Sequence, residues 1–171
     1  MRTSIPLLLL VAALSGACAT MPPPLKARAT MEPKSGSSVT GEVRLNEASG
    51  VVHARVELTG LAPSSEHGFH VHEKGDCSAA DGTSAGGHFN PGGAPHGQAG
   101  SAAHHAGDIP SVTADAAGKV KVDMVLEGVT LAAGPTSIAG RSFVVHRDRD
   151  DYTPPSGNSG PRVACGVIVA Q

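Results

Sequence analysis

The sequence contains very few aromatic residues: tryptophan is absent, and the 171 residues include only one tyrosine and three phenylalanines. Its core must therefore be packed from valine, alanine, leucine and isoleucine. The chain also lacks a strong charge of either sign, since the formal net charge is −2, which removes the bulk electrostatic argument for binding nucleic acid or an anionic membrane. It has instead 22 glycines, 13 prolines and 9 histidines. This composition favours many short strands over long helices.

Residues 1–19 have the features of an export signal. Arg2 precedes an apolar run from Ile5 to Leu14, which is too short to span a membrane. The small residues that follow allow two interpretations. In the first, the segment is a lipoprotein signal that ends before Cys18, which becomes the lipidated first residue and attaches the protein to a membrane. In the second, cleavage after Ala19 discards Cys18. Both interpretations predict an exported protein.

Two cysteines remain for the mature protein, Cys77 and Cys165. An exported protein folds in an oxidising compartment, so these two thiols are predicted to form a disulfide rather than to stay free. Residues 20–38 contain three consecutive prolines and no apolar pattern typical of a core. They are predicted to be a linker, and the domain is predicted to occupy residues 39–171.

From Val39 onward, apolar and polar residues alternate as they do in half-buried β-strands. In the clearest example, one face of the strand carries Val52, Ala54, Val56 and Leu58. Residues 74–118 show almost no strand pattern, and regular strands return after them. The sequence therefore predicts an all-β fold, a Greek-key β-sandwich or flattened barrel of about eight antiparallel strands with long loops.

Histidines are concentrated around the long loop. His70 and His72 are separated by one residue on a predicted strand, so both rings project from one face, while Phe69 and Val71 point to the other. Taken alone, such a pair is weak support for a metal site. The loop and a later strand add further candidate ligands: His88, His96, His104 or His105, Asp108 and His146. Imidazoles with a carboxylate are typical of zinc sites, and all-imidazole ligation suits copper.

Five stretches, GFHVHEKGDC, GGHFNP, HAGD, GRSFVVH and GNSGPRVACGVI, resemble the copper–zinc superoxide dismutases. The resemblance extends over roughly residues 39 to 170, and the leader is similar to that of the exported, periplasmic bacterial type. It implies an enzyme that converts superoxide to oxygen and hydrogen peroxide through redox cycling of copper, with zinc in a structural role. The implied copper ligands are His70, His72, His88 and His146. The implied zinc ligands are the shared His88 with His96, His105 and Asp108.

The resemblance also implies roles for residues around the metals. His88 and Arg162 would be catalytic, the first by delivering a proton to the product and the second by attracting the anionic substrate. Asp150 would hydrogen-bond one copper and one zinc histidine, and Cys77 with Cys165 matches the family's disulfide.

Several questions stay open at this point. The same ligand cage would also serve an exported copper and zinc buffer with little turnover. The choice between a monomer and a homodimer is open as well. No role follows from the sequence for three histidines: His53, His67 and His104.

Overall fold

The computed structural model describes residue 23 and residues 25–171. Within them the chain forms short β-strands and a single 3₁₀ turn: β1 Leu25–Pro33, β2 Thr40–Ala48, β3 Val51–Thr59, β4 Glu66–His67, β5 Phe69–His72, the 3₁₀ helix Thr83–Ala85, β6 Val112–Thr113, β7 Val120–Leu126, β8 Ser142–His146, β9 Arg162–Val167 and β10 Val169–Ala170. None of the described residues forms a helix with the length and apolarity needed to cross a membrane. The predicted signal and Cys18 lie outside the described residues.

Eight strands form one curled antiparallel sheet in the order β5-β8-β9-β1-β2-β3-β7, with β10 paired to β1. Strands β4 and β6 form a separate small pair. The middle of the sheet is β1, which pairs with β2 from Leu25 to Met31 and with β9 only at Glu32 and Pro33. The predicted all-β fold is therefore confirmed.

The predicted linker over residues 20–38 is wrong from residue 25 onward, because that stretch contains β1. Ala27, Ala29 and Met31 alternate with polar residues and are buried in the core. Alanine is only weakly apolar and a poor strand former. The alternation in this segment is therefore faint, and the segment is hard to distinguish from a linker by its sequence. The folded domain therefore includes β1 in addition to the predicted residues 39–171.

The β2–β3 hairpin follows its sequence pattern closely. A two-residue turn at Ser49 and Gly50 connects the strands, with φ angles of 53° and 77°, as tight hairpin turns require. The apolar face predicted for β3 is buried: Val52, Ala54, Val56 and Leu58.

Strands β5 and β8 carry histidines on the face that points away from the core. Phe69 and Val71 of β5 belong to the apolar core, where Phe69 stacks on Phe143 of β8 with ring centroids 5.1 Å apart. Because side chains alternate along a strand, His70 and His72 project from the opposite face. Two largely irregular segments, residues 73–111 and 147–161, supply the other residues that meet these histidines.

Candidate metal centre

The first histidine group consists of His70, His72, His88 and His146, each with one ligand atom within 4.8 Å of the others. Among the described buried side-chain atoms, three nitrogens have no hydrogen-bond partner: His70 Nδ1, His72 Nε2 and His146 Nε2. Leaving such a buried polar atom unpaired costs free energy. All three belong to this one group, which is the arrangement expected if the nitrogens bind a metal ion.

The second nitrogen of each of these three rings has an acceptor. These acceptors are Asp150 Oδ2 for His70 at 2.7 Å, the Gly86 carbonyl for His72 at 2.9 Å and the Gly160 carbonyl for His146 at 3.1 Å. A neutral imidazole carries one proton, and in each ring the hydrogen bond places that proton on the nitrogen that faces the acceptor. The unpartnered nitrogen therefore keeps its lone pair for a metal, as is usual for metal-binding histidines.

Burial keeps these rings neutral. It lowers the pKa of His70 to about 4, against the opposing effect of the hydrogen bond to Asp150. It also lowers the pKa of His146 to about 3 and that of His72 well below its usual range. Histidine binds metals through its neutral form, so at neutral pH a metal would not have to displace a proton from these nitrogens.

The second group converges on one carboxylate oxygen. Asp108 Oδ1 lies 2.9 Å from His88 Nδ1, 2.9 Å from His96 Nδ1 and 3.2 Å from His105 Nδ1. Ligands about 2.0–2.1 Å from one tetrahedral zinc ion would be separated by roughly 3.3 Å. Three imidazoles with one carboxylate thus have the composition and the spacing of a zinc site.

The contact between His96 and Asp108 makes this argument stronger. His96 Nε2 lies 3.0 Å from Asp150 Oδ1 and donates its proton there. In the neutral ring, Nδ1 is then an acceptor that faces a carboxylate oxygen, and two acceptors repel each other. A cation between His96 Nδ1 and Asp108 Oδ1 turns this repulsion into attraction.

Asp108 is held in its ionised form. Burial alone would raise its pKa, but hydrogen bonds from His88 and from the Gly97 and His105 amides hold the pKa well below its usual range. The two amides donate to Oδ2 at 3.0 and 2.8 Å, which leaves Oδ1 directed at the three rings. The sequence spacing left His104 and His105 as alternatives, and the structure brings His105 into the group.

Two residues connect the groups. His88 belongs to both of them, and its ring lies 4.1 Å, centroid to centroid, from that of His70. Asp150 accepts from His70 with one oxygen and from His96 with the other. Burial acts to raise the pKa of Asp150, but the hydrogen bonds from His70, His96 and the Tyr152 amide, together with the charge of His70, lower it below its usual value.

We expect Asp150→Asn to weaken binding of both metals by about 10–100-fold, the usual cost of losing a hydrogen-bond partner of metal ligands. An amide has one acceptor oxygen, so one of the two histidine N–H groups would face an NH₂ donor. Competition with a chelator measures the two dissociation constants. Asp151→Asn is the matched control, because its carboxylate bonds only to its own loop. Equal effects of the two substitutions would contradict the expectation.

Sequence reasoning missed Gly157, which lets the backbone pass close to the Asp150–His96 contact. Its φ is +73°, and a Cβ atom there would overlap the Asp150 carboxylate and lie 2.6 Å from His96 Nε2. Only the glycine itself, within the GNSG stretch, signals this close approach.

The three histidines for which the sequence predicted no role have different environments in the structure. His67 is buried; its Nδ1 lies 2.9 Å from the His146 carbonyl and its Nε2 lies 2.6 Å from Ser65 Oγ. His67 therefore supports the backbone of His146, a member of the first group. His104 donates from Nδ1 to the His105 carbonyl at 2.7 Å, and His53 is exposed on β3. Neither belongs to a metal group among the described residues.

Arg162 fastens the loop beside the first group. Its Nη1 donates to the Gly82 carbonyl at 2.6 Å and its Nη2 to the Gly86 carbonyl at 2.7 Å. The Gly86 carbonyl also accepts from His72, so this carbonyl connects Arg162 to a histidine of the first group. The predicted disulfide is present, with the Cα atoms of Cys77 and Cys165 separated by 5.7 Å, and it ties the same loop to β9.

An antiparallel sheet with two adjacent groups of buried ligands that share one histidine defines a protein built to hold two metal ions. The family model for copper/zinc superoxide dismutase (SODC) matches residues 39–168. The chain belongs to the copper/zinc superoxide dismutase family, and the two groups fit copper and zinc.

Relatives match over most of the chain. It is 40% identical over 149 residues to superoxide dismutase [Cu-Zn] 2 of Aquifex aeolicus, covering 84% of this chain and 86% of the relative. It is 38% identical over 181 residues to superoxide dismutase [Cu-Zn] of Deinococcus radiodurans, covering 98% and 96%. The crystal structure of a SOD-like protein from Bacillus subtilis superposes with a TM-score of 0.75 at 34% identity, covering 83% of this chain and 97% of that one.

Proposed function

We propose that this protein is an exported superoxide dismutase with copper in the first histidine group and zinc in the second. The copper ligands are His70, His72, His88 and His146. The zinc ligands are His88, His96, His105 and Asp108. The proposal is supported by three buried nitrogens of the first group that have no hydrogen-bond partner. The second group, which contains the Asp108 carboxylate, lies beside the first and shares His88 with it.

Copper held by these four histidines would supply one-electron redox chemistry, by which two superoxide ions and two protons become one oxygen and one hydrogen peroxide. His88 moves a proton in this scheme. Its Nδ1 faces Asp108 at 2.9 Å, which leaves Nε2 for the copper group. When Nε2 carries a proton, it is placed to deliver it to the reduced oxygen species.

Arg162 supplies a permanent positive charge beside the copper group. Burial is the main reason that the pKa values of His72 and His146 are lowered, and the nearby Arg162 charge adds a smaller effect in the same direction. Superoxide is a small anion, so a cation held beside the copper group raises its local concentration and its rate of encounter. The two hydrogen bonds to loop carbonyls hold the guanidinium in place for this role.

We expect Arg162→Ala to lower turnover at low ionic strength by about tenfold or more, the range typical of electrostatic steering. The difference from wild type should shrink as salt rises, because salt screens the charge. Rates of superoxide consumption across a salt series measure this. Arg162→Lys is the control that keeps the charge but loses the planar fork. An Arg162→Ala protein with both metals bound and an unchanged low-salt rate would refute the steering role.

A metal buffer is the second candidate function. The Bacillus subtilis relative, described only as SOD-like, has the same fold, so membership of the family does not by itself establish turnover. Superoxide consumption by protein loaded with copper and zinc, compared with metal-free protein, distinguishes the two functions. Fully loaded protein without turnover would support the buffer.

The site of action is proposed to be the periplasm, and the disulfide agrees with an oxidising compartment. Membrane attachment depends on the processing of the first 19 residues. Mass spectrometry of the mature protein distinguishes a lipidated Cys18 from an N-terminus at Thr20.

A further inference from the structure

Arg141, the residue before β8, contacts three separate segments near the copper group. Its Nε donates to the Ser137 carbonyl at 2.7 Å and its Nη1 to the Glu73 carbonyl at 2.7 Å. Its guanidinium carbon lies 3.6 Å from the ring centroid of Phe89, which is buried. The arginine therefore joins segments that are far apart in the sequence.

Two of these contacts fall immediately beside metal-group histidines. Glu73 follows His72, and Phe89 follows His88. The two histidines are opposite each other in an isolated antiparallel bridge, and their rings lie 5.0 Å apart, centroid to centroid. Arg141 thus spans the pair of backbone segments that carries these two ligands.

The backbone pairing around His72 and His88 is short, because it is an isolated bridge outside the named strands. Three backbone hydrogen bonds join the two segments: the Glu73 amide donates to the Gly87 carbonyl at 2.9 Å, the Phe89 amide to the Val71 carbonyl at 2.8 Å and the Lys74 amide to the Ala85 carbonyl at 3.0 Å. The Phe89 carbonyl accepts from the Gly107 amide at 2.8 Å, and beyond Phe89 the chain continues into the loop that carries His96. A bridge of this length has little intrinsic rigidity, so a side chain that clamps both segments would restrict their relative movement.

We propose that Arg141 is a positioning residue that sets the distance between His72 and His88, and through it the geometry of the copper group. A guanidinium suits this role because its donors lie in a rigid plane whose face stacks on an aromatic ring. Arg141 is not itself a candidate ligand or proton donor, so its effect passes through the two histidine segments. The inference rests on the proposed assignment of copper to the first group.

The test compares wild type, Arg141→Ala and Arg141→Lys. Copper affinity is measured by chelator competition, and the Cu(II) site is examined by electron paramagnetic resonance at saturating copper. We expect Arg141→Ala to bind copper about tenfold or more weakly, as for other residues that orient metal ligands, and to give a changed Cu(II) spectrum. Arg141→Lys keeps a cation over Phe89 and should recover part of both properties.

Two further variants separate positioning from general stability. Phe89→Leu keeps an apolar side chain but removes the aromatic face, so it should shift the Cu(II) spectrum in the same direction as Arg141→Ala. Arg44→Ala removes an exposed arginine that pairs with Glu42 on β2 at 2.8 Å, and it should leave the spectrum unchanged. The thermal midpoint of each metal-free variant reports stability separately.

The inference on Arg141 is overturned if Arg141→Ala lowers only the thermal midpoint of the metal-free protein while copper affinity and spectrum match those of wild type. It is also overturned if Arg44→Ala changes the spectrum to the same extent. Failure of the copper assignment gives a different result, since wild-type protein would then bind no copper at the first group. Failure of the proposed enzymatic activity is different again, since wild-type protein would then bind both metals without consuming superoxide.

Discussion

His88→Ala is expected to weaken the binding of both metals by at least about 100-fold and to abolish superoxide consumption. Loss of a partner that merely orients a ligand already costs about 10–100-fold, and His88 is itself a member of both ligand groups. Its removal leaves the first group with three nitrogens and the second with two nitrogens and a carboxylate oxygen. It also removes the proposed proton donor.

Three matched substitutions make this prediction specific. His72→Ala should weaken mainly the copper site and His105→Ala mainly the zinc site, because each belongs to one group only. His53→Ala removes an exposed histidine outside both groups and should change neither. Metal content after dialysis, together with chelator competition, measures the outcome. A His88→Ala protein that keeps either metal at wild-type affinity would contradict the shared role.

Replacing both Cys77 and Cys165 by serine is expected to lower the free energy of unfolding of the metal-free protein by about 3–5 kcal/mol, the range that the chain-entropy model assigns to a long closed loop. The two cysteines are 88 residues apart. The bridge also holds the segment whose Gly82 and Gly86 carbonyls accept from Arg162. Its loss should therefore reduce copper affinity as well as stability.

Denaturant unfolding of the metal-free protein measures the change in stability, and wild-type protein treated with a thiol reductant is the control for the serine side chains. Both forms should unfold at the same lower denaturant concentration. A double-serine variant that is as stable as the oxidised wild type would contradict the prediction. Unchanged copper affinity despite lower stability would show that Arg162 holds its loop without help from the disulfide.

Part of the site could be predicted from the sequence because it depends on residues that are close together in the chain. The one-residue spacing of His70 and His72 places both rings on one strand face, whatever the rest of the fold. The apolar alternation in β3 likewise predicts a buried face. By contrast, β1 was missed because its inward residues are two alanines and a methionine, and its pairing partners β2, β9 and β10 lie elsewhere in the chain.

The supporting residues could not be predicted for a related reason. His67 has a role only because the His146 carbonyl, 79 residues away in the chain, lies 2.9 Å from its ring. Arg141 likewise gains its contacts from segments that meet only after the sheet has formed. A single histidine or arginine has no sequence periodicity that would distinguish such a position from a surface one.

The sequence by itself determined the chemistry of this protein: which donor types are present, that a strand presents two of them together, and that two cysteines are available to cross-link the domain. The tertiary structure alone decided which nitrogen of each ring is left without a proton. It also supplied the distances that place His105 beside Asp108 and Asp150 between the two groups, which the residue spacing left open and only the family resemblance implied. Those outcomes depend on distances between segments far apart in the chain, and long-range strand pairing and loop closure set those distances.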